Sequence, residues 1–292
     1  MSDRPDPFTD QQQAHLRARA ALAGTSARLV QLLTDAHELR DRTALPQWTA
    51  GQVGTHLAAV FLAYCSTVPG PRADADAVDW DAVLPTAELA FGPRMASVNA
   101  RAVALLGEQI GDRPEAFIAE RAERFLRTTA ELAPDTPVAT PWYGPQPALT
   151  VAAATGLLLS ECLLHGLDIA RATRLPWRID PDHARLVLGQ AMPVMMPLAL
   201  DRARARGVDM AFDLAVRGGP RLRLAVHDGA MTVTRGVPAA PPDCRISADP
   251  VAFLLVAFRR SPQWKAIALG RLRAGGRRPW LAPRLPWLVP SP

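Results

Sequence analysis

The spacing of hydrophobic residues changes once along the chain, and that change constrains the fold more than any other feature. Up to residue 175, apolar side chains recur every three or four positions, the period of a helix with one buried face. Beyond Gly207 they alternate: Met210, Phe212, Leu214 and Val216, then Leu222, Leu224 and Val226, then Met231 and Val233. A period of two belongs to strands that bury one side. The chain is therefore expected to hold a helical domain over 1–175 and a smaller α+β domain over 176–292. Of its 292 residues 49% are hydrophobic and 21% charged, so each domain can bury a core.

Local signals fill in this outline. Asp10 with Gln13 and Thr49 with Gln52 have the spacing of capping boxes and mark two helix starts. The first helix carries Leu16, Leu22, Leu29, Val30, Leu33 and Leu39; the second carries a stripe of Val53, Leu57, Val60, Phe61 and Tyr64. Val68 to Pro93, rich in Pro, Asp and Gly, reads as a long connection. Helices are expected again over Arg94–Leu106 and Pro114–Leu132, followed by a turn-rich stretch, Pro134–Pro147. Thr150 can cap a strongly apolar helix running to Thr173.

In the second region, Asp180-Pro181 opens a helix that includes Met192, Met195 and Met196. Gly218-Gly219-Pro220 and Asp228-Gly229 fit the turns of an antiparallel meander. Cys244 and Ile246 suggest another strand, and Leu269 to Gly276 a last one. Asp249-Pro250 and Ser261-Pro262 read as N-cap plus first-turn proline. The tail from Arg277 to Pro292 is expected to lie extended.

Composition removes several functions. Cys65, Cys162 and Cys244 are far apart and odd in number, which excludes a disulfide framework or a thiolate-rich metal site. A net charge of +5 would suit nucleic acid, but acidic and basic residues are read as interspersed, with no basic run among aromatics. The apolar stretches are too short to span a bilayer; Val151–Leu159 runs into Ser160 and Glu161. The N-terminus lacks the basic start and apolar middle of a signal peptide. The expectation is a cytoplasmic protein with no nucleic-acid or membrane partner, a homodimer being the assembly considered.

The residues with chemistry lie mainly on the apolar helix after Thr150. Glu161 and His165 are four apart and Asp168 is seven from Glu161, so all three share one face. A polar strip facing water would explain Glu161 and His165 alone. His56 sits within the apolar stripe of the second helix, where a histidine is more often a satisfied core residue than a ligand. If the two helices face each other, two imidazoles and a carboxylate form a three-ligand site with an open position, as in catalytic zinc. Cys162 points about 100° away from Glu161 and is a poor fourth ligand. His15, His37, His183 and His227 are expected on the surface.

Two segments carry a resemblance. Trp48-Thr49-Ala50-Gly51-Gln52-Val53-Gly54-Thr55-His56-Leu57 resembles the WT-x-x-x-V-x-x-H-L signature of DinB-like, mycothiol-dependent enzymes. Glu161-Cys162-Leu163-Leu164-His165-Gly166-Leu167-Asp168-Ile169-Ala170-Arg171-Ala172 is similar to that family's E-x-x-x-H-G-W-D-x-A-x-A, with Leu167 in place of the usual Trp. Pro141-Trp142 falls in the loop expected before the second motif. The family includes maleylpyruvate isomerase and mycothiol S-transferases of high-GC actinobacteria, which suits a chain whose 33 basic residues are all arginine except Lys265. The resemblance implies a DinB-like four-helix bundle in which His56, Glu161 and His165 bind a divalent metal, usually zinc. The C-terminal pattern, with Ser247-Ala248-Asp249-Pro250 and Gly270-Arg271-Leu272, resembles a sterol-carrier-protein-like domain.

The implied function is metal-assisted activation of mycothiol as a thiolate that attacks a small electrophile, by S-transfer or cis–trans isomerisation. A free thiol has a pKa of about 8.5, so little thiolate exists at neutral pH unless a cation draws the proton off. Asp168 is expected to orient substrate or support a ligand, with pairing to Arg171 or Arg174 the alternative. Arg94 is a candidate contact for a substrate carboxylate. Two other readings stay open: a carrier of lipid or another hydrophobic ligand through the C-terminal domain, and a hydrolase using metal-activated water.

Overall fold

Four amphipathic helices have the length and stripe to pack as a bundle, and they do so in the computed structural model, which describes residues 7–70, 77–144, 148–236 and 240–290. They are α1 (Pro7–Asp35), α2 (Ala50–Thr67), α5 (Pro114–Thr128) and α6 (Val151–Thr173), with short α3 (Trp80–Val83) and long α4 (Phe91–Ile110) between α2 and α5. α1 packs on α5 and α6, and α2 packs on the same two. The centre is filled by Leu22, Leu29, Val53, Leu57, Phe61, Ile118, Phe125, Leu158 and Leu159. The helical stripe of α2 is inward as expected, with Val60 left half-buried at its edge.

Two caps have the geometry that their sequences predict. The Thr49 hydroxyl accepts from the Gln52 N–H, and the Gln52 side chain accepts from the Thr49 N–H. Thr150 accepts from the Ala153 N–H at the start of α6. Asp10 is no cap. α1 is already helical from Pro7, where a missing N–H costs nothing, and Asp10 instead places its charge in the first turn. Two small antiparallel pairs enter the helix starts: β1 (Thr43–Leu45) with β2 (Trp48–Thr49), and β3 (Pro137–Ala139) with β4 (Ala148–Thr150). The turn-rich stretch thus contains strands, and its residues 145–147 lie outside the described ones.

α6 is long and apolar enough to cross a membrane by length and composition, contrary to the expectation that no stretch qualifies. In the fold, 89% of its apolar window is buried, so its hydrophobicity is used in packing. His15 corrects another expectation: it is 3% exposed within the bundle.

The chain divides into two compact units, 1–87 with 96–179, and 88–95 with 180–292. The second is mixed α+β. It begins with α7 (Pro181–Gln190), α8 (Met192–Leu198) and α9 (Arg202–Ala205), followed by β5 (Asp209–Val216), β6 (Arg221–His227), β7 (Ala230–Arg235) and β8 (Cys244–Ala248). α10 (Pro250–Ala257), α11 (Gln263–Ala268), β9 (Leu272–Gly275) and α12 (Arg284–Leu288) complete it. The sheet order is β7-β6-β5-β8-β9. β5, β6 and β7 form the expected antiparallel meander, whereas β8 joins β5 in parallel. Phe212, Leu214, Leu222, Leu224 and Cys244 are fully buried.

Prolines account for three departures in this unit. The helix after Asp180 breaks at Ala191, because Pro193 cannot donate to the Gly189 carbonyl, which accepts from Arg235 instead. Pro262 occupies the N-cap of α11 rather than its first turn, and no side chain caps that helix. The tail is not extended: Pro279 starts a 3-10 turn, and α12 follows Pro283, burying Leu285 and Leu288.

Candidate metal centre

α2 and α6 bring their polar residues together inside the bundle. His56 on α2 and His165 on α6 both direct Nε2 at one oxygen of Glu161, Oε2, at 3.4 and 3.2 Å. The two imidazoles stand edge to face with centroids 5.0 Å apart. Helical geometry alone stacks His165 one turn beyond Glu161. His56 arrives from 105 residues away, carried by the apolar stripe of α2.

The three donor atoms lie within 4.8 Å of one another. Two ligand atoms each about 2.1 Å from one ion, at the tetrahedral angle, would be about 3.4 Å apart, so these spacings suit a shared cation. The donor chemistry also suits it. Each neutral imidazole offers a lone pair and the carboxylate a charge, leaving a dication with a net positive charge and an open coordination position.

Asp168 is buried behind His165. The His165 Nδ1–H donates to its carboxylate at 3.0 Å, so that displacement of the Nε2 proton by a cation would leave the Nε2 lone pair facing Glu161. Burial by itself would raise the Glu161 carboxyl, but hydrogen bonds from His165 and His56 prevail and hold it well below the usual carboxylate range. Burial would lower His165; its bonds to Asp168 and Glu161 outweigh this and push it up to about 9. The two histidines are buried, and the Glu161 side chain between them remains 30% exposed.

The fold gathers aromatic side chains that the motifs name singly. Trp48 lies 4.9 Å from His56. Tyr64 packs edge-on against Trp142, which stacks on Trp80. The Tyr64 and Tyr143 hydroxyls approach to 3.4 Å. Burial raises both phenols, Tyr143 to about 12, so both stay protonated at neutral pH. Trp142 and Tyr143 sit on a 3-10 turn, Pro141–Tyr143, and their clustering in a turn-rich segment was the available signal.

Gly166 has a steric reason. A Cβ there would come 2.3 Å from the Trp177 ring, whose N–H donates to the Leu163 carbonyl at 3.0 Å. Leu167, standing where the related motif has Trp, is half-buried. All three cysteines are buried; burial, followed by the charge of Glu161, drives the Cys162 thiol far up. Arg94 lies half-buried in the first turn of α4, on the stretch 88–95 that belongs to the second unit. His37 and His227 are exposed and His183 half-buried.

No curated protein matches the chain. Among solved structures, the mycothiol-dependent maleylpyruvate isomerase aligns at 14% identity over 92% of this chain and 93% of that one, with a TM-score of 0.47. A stereoselective inverting sec-alkylsulfatase from Pseudomonas sp. aligns at 13% identity over 67% of this chain, TM-score 0.32, and this chain spans only 36% of it. The family model described as mycothiol maleylpyruvate isomerase N-terminal domain matches residues 19–170, a stretch that contains His56, Glu161, His165 and Asp168. That match covers more than half of the chain, which therefore belongs to the mycothiol maleylpyruvate isomerase N-terminal domain family.

Proposed function

We propose that the protein is a metal-dependent enzyme that uses mycothiol as the attacking thiol on a small electrophile. The observation that carries this reading is the convergence of His56 Nε2 and His165 Nε2 on Glu161 Oε2, with Asp168 bonded to the back of His165. His56, Glu161 and His165 would hold a divalent cation, zinc by the chemistry of the donor set. The cation would supply Lewis acidity, keeping a thiol sulfur as thiolate at neutral pH.

The chain's own groups do the rest. Asp168 locks His165 in the tautomer that presents Nε2. The Tyr64 and Tyr143 hydroxyls, held protonated, can donate hydrogen bonds to an oxygen that gains charge during attack. Trp48, beside His56, would shield one side of a bound sulfur from water. An external thiol is needed because each cysteine of the chain is buried and Cys162 holds its proton. Arg94 is kept as a proposed contact for a substrate carboxylate, on the ground of its charge.

Thiolate sulfur adds to an activated double bond and pushes the π electrons onto the activating carbonyl; the new single bond rotates, and those electrons return to re-form the double bond as sulfur leaves with the C–S pair. This gives cis–trans isomerisation with the thiol regenerated. If a leaving group departs instead, the sulfur stays on carbon and the result is S-transfer. A cytoplasmic placement belongs to the same reading.

Assay of a variant with Cys65, Cys162 and Cys244 all changed to Ala, with and without mycothiol, tests the thiol. Activity should survive the substitutions and require the added thiol. Turnover without thiol would make water the nucleophile and overturn the proposal.

A further inference from the structure

The chain's charges are interspersed only as far as Asp249. From Pro250 to Pro292 there are eight basic residues and no acidic one. The other 249 residues hold 25 basic against 28 acidic residues, so the positive excess of the whole chain resides in this last stretch.

The same stretch concentrates exposed apolar side chains. Among the described residues eight large hydrophobic side chains are exposed, and five of them fall between 264 and 287. Three form a group at α11: Trp264 is 70% exposed, Ile267 53% and Leu269 57%. Trp264 and Ile267 are three apart on the helix and share a side. Leu269 is the residue that closes it, and Ala266 is the buried residue of the helix. Basic groups surround the three. Lys265 is on the same helix, the Arg271 N–H donates to the Ala266 carbonyl, and the Arg273 guanidinium lies 3.1 Å from where a Gly270 Cβ would be. Arg259 and Arg260 form the turn that leads into the helix.

We propose that α11 with Leu269 is a peripheral docking site for an anionic lipid bilayer. Trp264, Ile267 and Leu269 enter the interfacial layer, and Lys265, Arg271 and Arg273 lie over the headgroups. Tryptophan favours that layer, and each basic residue near an anionic surface adds about 1 kcal/mol, roughly a fivefold gain in binding. Exposed apolar groups bordered by basic ones, here Trp264 and Ile267 on one side of the helix and Leu269 at its end, mark interaction surfaces. Charge selects the occupant. A second copy would set Lys265, Arg271 and Arg273 against their own counterparts, and the neighbouring Asp249, whose N–H donates to the Arg271 carbonyl, is already paired with Arg217. A single-stranded nucleic acid would stack on Trp264 but has no use for Ile267 and Leu269. The expectation of no membrane partner rested on the lack of a span, which does not bear on a surface contact.

Flotation of the full chain with phosphatidylcholine vesicles, with and without phosphatidylglycerol, tests the site. Binding should require phosphatidylglycerol and weaken as salt rises. The triple variant Trp264→Ser, Ile267→Ser, Leu269→Ser and the double variant Lys265→Glu, Arg271→Glu should each lose about tenfold or more in partitioning. Their melting curves should match the parent, because the changed side chains are exposed. Equal binding to neutral vesicles, no binding, or undiminished binding by either variant overturns the proposal. So does a dimer in sedimentation that the triple variant dissolves, which would assign the surface to a second copy. Lipid-like retention of a single-stranded oligonucleotide, lost in the same variants, would assign it to nucleic acid.

Discussion

Glu161 in the first unit and Asp213 in the second each lie between two basic side chains, and the two arrangements differ in what they can do. In the bundle, Glu161 is met by His56 and His165. In the sheet, Asp213 on β5 is fully buried and accepts from Arg221 at 2.7 and 2.6 Å and from Arg245 at 2.9 Å. In both, the partners hold the carboxyl below its usual range. A guanidinium has donors only and keeps its charge, so the Asp213 cluster is closed: every lone pair it uses is answered by an N–H. Imidazole can lose its proton and turn a lone pair inward. The Glu161 cluster is therefore open to a cation, and the Asp213 cluster stitches β5 to β6 and β8. Partner chemistry, rather than burial or charge, separates a site from a staple.

Substitution at the open cluster should give the largest effect. Glu161→Ala or His56→Ala leaves two ligands, and we expect metal content to fall to about a tenth or less and activity by about a hundredfold or more. Elemental analysis beside a thiol-dependent assay measures this; unchanged metal in both variants would break the comparison. Asp168→Asn keeps the three donors but weakens the hold on His165, so a loss of about 10- to 100-fold in metal affinity is expected. Competition with a graded series of chelators reads it, and a metal affinity equal to the parent's would leave Asp168 without this role.

Asp213→Asn should do the reverse. Metal and activity stay at parental levels, while stability drops by about 1–2 kcal/mol, because Arg221 and Arg245 remain partly solvated when they lose their partner. The sign with pH follows from the lowered carboxyl. Its contribution is present above the unfolded carboxylate pKa of about 3.9 and fades as pH falls through the folded value. Urea unfolding at neutral and acid pH checks both points, and metal loss in this variant would erase the distinction between the clusters.

The smallest effect concerns the histidine with neither kind of partner. Both His15 ring nitrogens are buried without a hydrogen bond, and burial, with the nearby Arg19 charge, lowers it to about 4. Between about 6.5 and 4 the unfolded chain binds a proton that the folded one refuses, so stability should fall as pH drops across that window. His15→Leu should flatten this part of the profile. A difference between parent and variant that is constant with pH would show that His15 does not titrate on unfolding.

Much of the candidate centre is written locally. Glu161, His165 and Asp168 share a face because 3.6 residues make a turn, and Thr49 and Thr150 cap because their hydroxyls reach the N–H groups three residues on. The strand alternation from Met210 to Val233 is equally local. Even the acid-free stretch after Asp249 stands in the sequence, hidden when charge is averaged over the whole chain.

The sequence by itself determined these periodic faces, because side-chain direction follows from backbone repeat within a few residues. Only the tertiary structure decided which faces meet. His56 reaches Glu161 through packing of whole helices, β8 joins β5 in parallel after a crossover, and His15 is enclosed with Ala18 and Leu22 in the bundle. The apolar composition of α6 reads equally as a bilayer span or a buried helix, and it is the surrounding α1 and α2 that make it the latter. Such outcomes depend on free energy summed over side chains far apart in sequence, and no local pattern records that sum.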